Sequence, residues 1–207
     1  MKRFTVFVQV WALSCAACFG AAAVSFVYLD VRLAVHFWDF GRDLRPLSDV
    51  LGAAVILAGE SAVTVGLVLA RIVRGRLSRF GETLAIACLA SICAYGINSE
   101  VFKPFFGVPA PARVIGGATH AFNWLMGSSA SSFPSGHMML AGAFAGVFMR
   151  LYRASVWPLC ALLMLAAGLL VAGGWHFLSD VIVGTFVGLS AGMLAGEAWA
   201  VHGAARA

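Results

Sequence analysis

Six runs of mostly apolar residues, each close to the length of a membrane-spanning helix, divide this chain from end to end. The hydrocarbon core of a bilayer is about 30 Å thick, and a helix rises about 1.5 Å per residue, so about 20 apolar residues are needed to cross it. The runs lie at about 4–29, 50–70, 83–101, 135–152, 155–173 and 177–197. Backbone polar groups in lipid must be satisfied within the segment, which leaves the helix as the economical solution. The expected fold class is therefore all-α, an integral membrane bundle of six transmembrane helices. Only 11% of residues are charged against 61% hydrophobic, so no stretch is left for a separate soluble domain and 1–207 reads as one membrane-embedded domain. Lys2 and Arg3 precede the first run as in a signal peptide. The run is long for a signal-peptide core and shows no convincing cleavage site, which favours an uncleaved span.

Orientation follows from the basic residues in the short loops. With the N-terminus inside, Lys2, Arg3, Arg71, Arg74, Arg76, Arg79, Arg150, Arg153 and Arg206 fall on the inner side, and Arg32, Arg42, Arg45, Lys103 and Arg113 on the outer, nine against five. Both termini are expected in the cytoplasm. Segments 30–49, 102–134 and 174–176 then face outward. The net charge of +5 is spread over these loops and gives no nucleic-acid footprint. Segment 30–49 mixes aromatic and charged residues and reads equally as an outer amphipathic helix, a reentrant loop or a plain connector. Cys15, Cys18, Cys88, Cys93 and Cys160 all sit in apolar runs without metal-ligand spacing, as small packing residues do. No metal site and no cofactor is expected.

Two short motifs carry chemistry. The first is Pro134-Ser135-Gly136-His137, at the start of the fourth run. Serine caps helices well, glycine admits a ligand close to the backbone, and the free N–H groups of a helix start form an anion site. His137 adds a group able to give up a proton near neutral pH. The second is His176-Phe177-Leu178-Ser179-Asp180. Residues four apart share a helical face, so Asp180 can hold one ring nitrogen of His176 and leave the other as nucleophile or base. Asp180 lies inside an apolar run, where an unpaired charge costs about 3 kcal/mol or more, and His176 is the nearest partner. Both motifs fall on the same, outward face.

Together these motifs resemble the type-2 phosphatidic acid phosphatase superfamily of membrane lipid phosphatases, whose three motifs are K-x6-R-P, P-S-G-H and S-R-x5-H-x3-D. The second matches in full at Pro134–His137, and the third matches at His176 and Asp180. Lys103 fits the lysine of the first, six residues before Ala110-Pro111. The resemblance implies that His176 attacks phosphorus and becomes a transient phosphohistidine, that Asp180 orients it, and that His137 protonates the leaving oxygen. Lys103, Ser135 and the Gly136 amide would hold the phosphoryl oxygens.

Both family arginines are absent: Ala110 stands in the first motif, and Leu169-Leu170 replaces Ser-Arg in the third. Arginines there would clamp phosphoryl oxygens in bidentate bonds. Arg113 is the first substitute for the missing charge, with His120 and Asn123 behind it. The leading reading is a phosphatase acting on a lipid phosphate monoester or diphosphate at the extracytoplasmic face. The alternatives are a lipid phosphotransferase moving a phospho-headgroup between lipids, and a non-catalytic protein that binds lipid phosphate. Expected partners are the lipid phosphate substrate and membrane lipids, and a bacterial inner membrane is the expected location.

Other polar residues are read more simply. Glu60, in mid-span, is assigned a hydrogen-bonded structural role away from the site. Glu100 is placed to pair with Lys103. Trp124, Trp175, Phe105, Phe106, Phe122 and Phe133 fit an interfacial aromatic belt or the mouth of a lipid groove. His202 is read as incidental.

Overall fold

The structure, a computed structural model, describes residues 2–44 and 52–204. Among the described residues every regular element is helical. In chain order these are α1 (Lys2–Tyr28), α2 (Asp30–His36), α3 (Trp38–Leu44), α4 (Ala53–Arg74), α5 (Arg79–Ile97), a π turn (Asn98–Phe102), α6 (Lys103–Phe106), α7 (Pro111–Ile115), α8 (Gly136–Leu151), a 3₁₀ turn (Arg153–Ser155), α9 (Val156–Ala172) and α10 (Leu178–Ala204). Residues 50 and 51 of the second expected span, Arg45, Arg206 and the 45–49 part of the connector lie outside the described residues.

Five helical segments are long and apolar enough to cross a membrane: Gln9–Tyr28, Ala53–Arg74, Arg79–Ile115, Arg153–Ala172 and Leu178–His202. The fourth expected span, 135–152, differs. It is a helix of 16 residues, Gly136–Leu151, about 24 Å long against a hydrocarbon core of about 30 Å. Its start is set by Pro134-Ser135, which ends the regular backbone at the site. Other helices surround it, and most of its residues are buried, so it need not face lipid through the full thickness.

The sequence explains the tight centre. Gly184, Gly188 and Gly192 recur every fourth residue on one face of α10, which makes its largest helix contact with α8. A Cβ at Gly188 would stand 2.6 Å from the Met139 carbonyl oxygen, and one at Gly192 only 2.0 Å from that of Ala143. From α8, a Cβ at Gly146 would meet the Leu189 carbonyl at 2.6 Å. Small residues at this spacing let helix backbones touch, which supplies packing where lipid removes the hydrophobic drive. The seam also fixes register. Gly184, one turn beyond Asp180, leaves room for Ser135, whose carbonyl would lie 2.6 Å from an added Cβ.

The remaining helices surround this pair. α9 packs on α8 through Met138, Met149, Leu163 and Leu170. α1 runs along α10, with Trp11 Nε1 donating to Ser190 Oγ at 3.3 Å. α4 is peripheral, and its Glu60 accepts a bond from Ser91 Oγ of α5 at 2.9 Å. The five cysteines are all free thiols. Segment 30–44 forms two short helices rather than one amphipathic element, and Asp30, expected on an outer surface, is buried. The end of α5 and the starts of α8 and α10 meet at one end of the bundle, where the two motifs lie.

Candidate functional site

The second motif spans the start of α10: His176 and Phe177 precede the helix, and Asp180 lies in its first turn. Asp180 is fully buried, and its Oδ2 lies 3.5 Å from Nδ1 of His176. The same oxygen accepts the Phe177 backbone N–H at 2.8 Å and a short bond from Ser132 Oγ. Ser132 Oγ also lies 3.4 Å from His176 Nδ1, so this hydroxyl sits between carboxylate and imidazole. An acceptor-only carboxylate beside Nδ1 favours the tautomer with hydrogen on Nδ1, leaving the lone pair on Nε2. Asp180 Oδ1 is buried without a hydrogen-bond partner among the described residues, an acceptor left over in the site.

The first motif faces it from α8. Ser135 caps this helix: its side chain accepts the Met138 N–H at 3.4 Å, and its carbonyl accepts that of Met139. The Ser135 N–H donates to the Asp180 backbone carbonyl at 3.0 Å, which ties the two motifs by main chain. The Gly136 amide, at the first helical position, has no intrahelical acceptor and is suited to an anion. Gly136 is glycine for a packing reason as well, since a Cβ there would come 2.9 Å from the Tyr95 ring. Asn98 Nδ2 holds the preceding turn by donating to the Pro134 carbonyl at 3.2 Å. His137 then places Nδ1 3.4 Å from His176 Nε2, with the rings edge to face. His137 is partly exposed, whereas His176 is buried.

The cations lie differently from one another. Lys103 follows the π turn at the end of α5, an element common at functional sites, and its Nζ donates to the Ser129 carbonyl at 3.1 Å. Among the described residues no ion pair joins it to Glu100. Arg113 on α7 is exposed and lines a cavity of about 280 Å³ with Gly107, Asn123 and Ser131. Ser131 thus lines the Arg113 cavity, while its neighbour Ser132 bonds Asp180. Leu170, at an arginine position of the family motif, is turned into the core, and its carbonyl accepts the His176 N–H at 3.3 Å. Among the described residues no group of three or more His, Cys, Asp or Glu side chains gathers as a metal site.

Behind His176 and Asp180 lies a second carboxylate and imidazole. Asp30 Oδ1 accepts from Ser25 Oγ at 2.7 Å and from the Ser179 N–H at 3.0 Å, and Oδ2 accepts from Ser179 Oγ. His120 Nε2 lies 3.6 Å from Asp30 Oδ2, and its ring packs against Phe26 at 4.1 Å and Phe177 at 4.4 Å. Burial pushes the His120 imidazole below its ordinary value of 6.5, against an opposing pull from Asp30 and Asp180. His120 therefore sits beside Asp30, and its Nε2 is buried without a hydrogen-bond partner among the described residues. Asn123 instead bonds the Gly107 carbonyl through Nδ2 at 3.0 Å.

The aromatic residues form a packed cluster more than a belt. Phe122 stacks on Phe26 at 4.6 Å and on Trp124 at 5.1 Å, and Phe106 meets Phe133 edge to face at 5.0 Å. Trp175 packs apart from them, in the core with α9. Beside the cluster a largely apolar cavity of about 320 Å³ opens along α1, lined by Phe19, Ala22, Phe26 and Phe133 and ending at Ser179.

Sequence reasoning passed over Ser132, Asn98 and Asp30. Ser131-Ser132 just before Phe133-Pro134 was a visible polar signal; Asn98 and Asp30 act through contacts that no local spacing announces. The PAP2 superfamily model matches residues 83–201, a segment that contains Lys103, both motifs and Ser132. No curated protein and no solved structure matches the chain.

Proposed function

The chain belongs to the PAP2 superfamily, whose members act on phosphate esters, and on that premise we propose that it is a membrane lipid phosphatase working through a phosphohistidine at His176. The observation that carries this reading is the pairing of His176 Nδ1 with Asp180 and Ser132 while Nε2 faces His137. Nε2 attacks phosphorus, the ester P–O bond breaks, and protonated His137 gives its proton to the departing oxygen. Asp180 and Ser132 stabilise the positive charge that develops on the His176 ring. His137, now neutral, takes a proton from water as that water attacks the phosphohistidine; phosphate leaves and His176 is restored.

Lys103, the Ser135 turn and the Gly136 amide hold the phosphoryl oxygens. α8 is suited to this because the start of α10 is already occupied by carboxylates, Asp180 on Phe177 N–H and Asp30 on Ser179 N–H. Arg113, in the adjoining cavity, is the arginine available to meet the anion as it approaches. The apolar cavity ending at Ser179 supports a substrate with a hydrocarbon tail. In this reading Gly136–Leu151 completes a sixth crossing, both termini are cytoplasmic, and the site faces outward in a bacterial inner membrane.

The loss of both arginines also favours a second reading, transfer of a phospho-headgroup between lipids, because a phosphodiester carries less charge than a monoester. One assay addresses both. Purified protein is given a panel of lipid phosphates with His176→Ala alongside, and phosphate release and headgroup transfer are followed together. Release lost in His176→Ala supports the phosphatase. Transfer without release moves the assignment to the phosphotransferase, and neither activity on any substrate overturns both.

A further inference from the structure

Asp30 contributes nothing to the motifs, lies outside the matched segment 83–201 and comes from α2, 149 residues before Ser179. Yet it is almost completely buried, and its two oxygens take three donors: the Ser25 hydroxyl, the Ser179 amide and the Ser179 hydroxyl. A buried carboxylate is retained in a fold only when such bonds offset its lost hydration.

We propose that Asp30 is a positioning residue for the nucleophile, keeping the Asp180 carboxylate on His176 by occupying the donors that would otherwise compete for it. The proposal rests on the phosphohistidine reading above. Ser179 and Asp180 are neighbours in the first turn of α10. That turn offers several N–H groups without intrahelical partners, together with the positive end of the helix dipole. Asp180 Oδ2 takes one, the Phe177 amide, and keeps its place 3.5 Å from His176 Nδ1. Asp30 takes the Ser179 amide and hydroxyl from the opposite direction. Without it those two donors would be buried with no acceptor, which is costly for each, and Asp180 is the adjacent carboxylate. Turning Asp180 toward them would unhook it from Nδ1.

His120 closes the arrangement. Its ring, packed between Phe26 and Phe177, covers the Asp30 oxygens, with Nε2 3.6 Å from Oδ2. The charged and titratable groups that act on the first turn of α10 are thus Asp30 from α2, His120 from the loop before α8, Lys103 after the π turn, and His176 and Asp180 themselves. His137 faces the turn from α8.

The test is Asp30→Asn, nearly isosteric, whose remaining oxygen can still accept the Ser179 amide but whose NH₂ group cannot accept the Ser179 hydroxyl, so that donor is set free. Steady-state kinetics on the lipid phosphate are combined with ¹⁵N NMR of the His176 ring in detergent, which reads its tautomer. Loosening Asp180 by an ångström lowers kcat about 10- to 100-fold with KM held within about twofold, since binding groups are untouched. The Nδ1–H tautomer gives way to a mixture because the carboxylate that holds it has withdrawn. A folded Asp30→Asn protein with unchanged kcat and an unchanged tautomer overturns the proposal. If Asp30→Asn does not fold, Ser25→Ala, which removes the hydroxyl that holds Asp30 Oδ1, is judged by the same two criteria: kcat falls several-fold with KM unchanged and the tautomer becomes mixed, and wild-type values of both overturn the proposal. Failure of the reading beneath it looks different. A wild-type protein that turns over no phosphate ester sinks the phosphohistidine assignment, and the His176 tautomer then decides the role of Asp30 alone.

Discussion

His137 Nδ1 stands 3.4 Å from His176 Nε2, so the acid and the nucleophile of the proposed reaction touch before substrate arrives. At that separation the rings are in contact and no phosphorus atom fits between them. One ring has to turn. His176 is buried and held by Asp180 and Ser132, whereas His137 is partly exposed on the first turn of α8, so substrate entry displaces His137. The ring that moves then lies on the leaving-group side, where an acid is needed.

If His137 is that acid, its removal matters in proportion to the basicity of the leaving group. His137→Ala should lower kcat/KM, which reports the step that releases the alcohol, by about 10²–10⁴-fold on a lipid alkyl phosphate. The loss of kcat/KM on an aryl phosphate with an acidic phenol should be much smaller, because that group departs without a proton. Equal losses of kcat/KM on both substrates would remove His137 from the acid role.

Ser132 donates to the carboxylate that orients the nucleophile. Ser132→Ala leaves Asp180 Oδ2 with the Phe177 amide and one donor fewer. Withdrawing a bond from a buried acceptor costs about 1–3 kcal/mol, and if about 1.4 kcal/mol of that appears in the barrier, kcat falls about tenfold. Measured kcat at wild-type level would show that Ser132 is a bystander.

The glycine seam places the motifs and should be intolerant of bulk. At Gly192 even a methyl group would meet the Ala143 carbonyl oxygen at 2.0 Å. Gly192→Leu should abolish folded, monodisperse protein in detergent, while Gly168→Leu, on a helix face with open space, should not. Matching thermal stability of the two variants would contradict the close contact of α8 and α10.

The His120 imidazole supplies a pH test with a definite sign. Its folded value lies below the ordinary 6.5, chiefly through burial. The unfolded chain therefore takes up this proton at higher pH than the folded one. The contribution is fully present above about pH 6.5 and is lost as pH falls through that value toward the lower folded one. Thermal midpoints in detergent should drop between pH 7.5 and pH 5, and His120→Phe, which keeps the stacking with Phe26 and Phe177, should drop less. An identical acid-side loss in both proteins would show that His120 is not responsible.

What could be read in advance follows the range of the interactions. Ser135 with His137 opens a helix, as their order in the sequence suggests, and His176 and Asp180 do meet across four residues; they meet at a helix start, with His176 two residues before Leu178, and not on one helical face that begins near 175. Helices long and apolar enough to cross a membrane were legible from run lengths, except at Gly136–Leu151, which is shorter than its run suggested. There hydropathy cannot separate a span from a shorter helix that owes its apolar character to burial among others. Gly184, Gly188 and Gly192 stood in the sequence at a spacing that signals close helix contact, but their partner α8 was not deducible from spacing alone. Asp30 looked like one polar residue in a mixed connector, because its bonds to Ser179 and its contact with His120 depend on the tertiary fold.

The most direct measurement is identification of the phosphorylated residue. Protein mixed with ³²P-labelled lipid phosphate and quenched in alkali within the first turnover should carry a base-stable, acid-labile label, mapped by mass spectrometry to His176. That label should be absent in His176→Ala and persist longer in His137→Ala, where the base that activates water is gone. Turnover of substrate with no phosphohistidine, or with the label on any residue other than His176, would contradict the account.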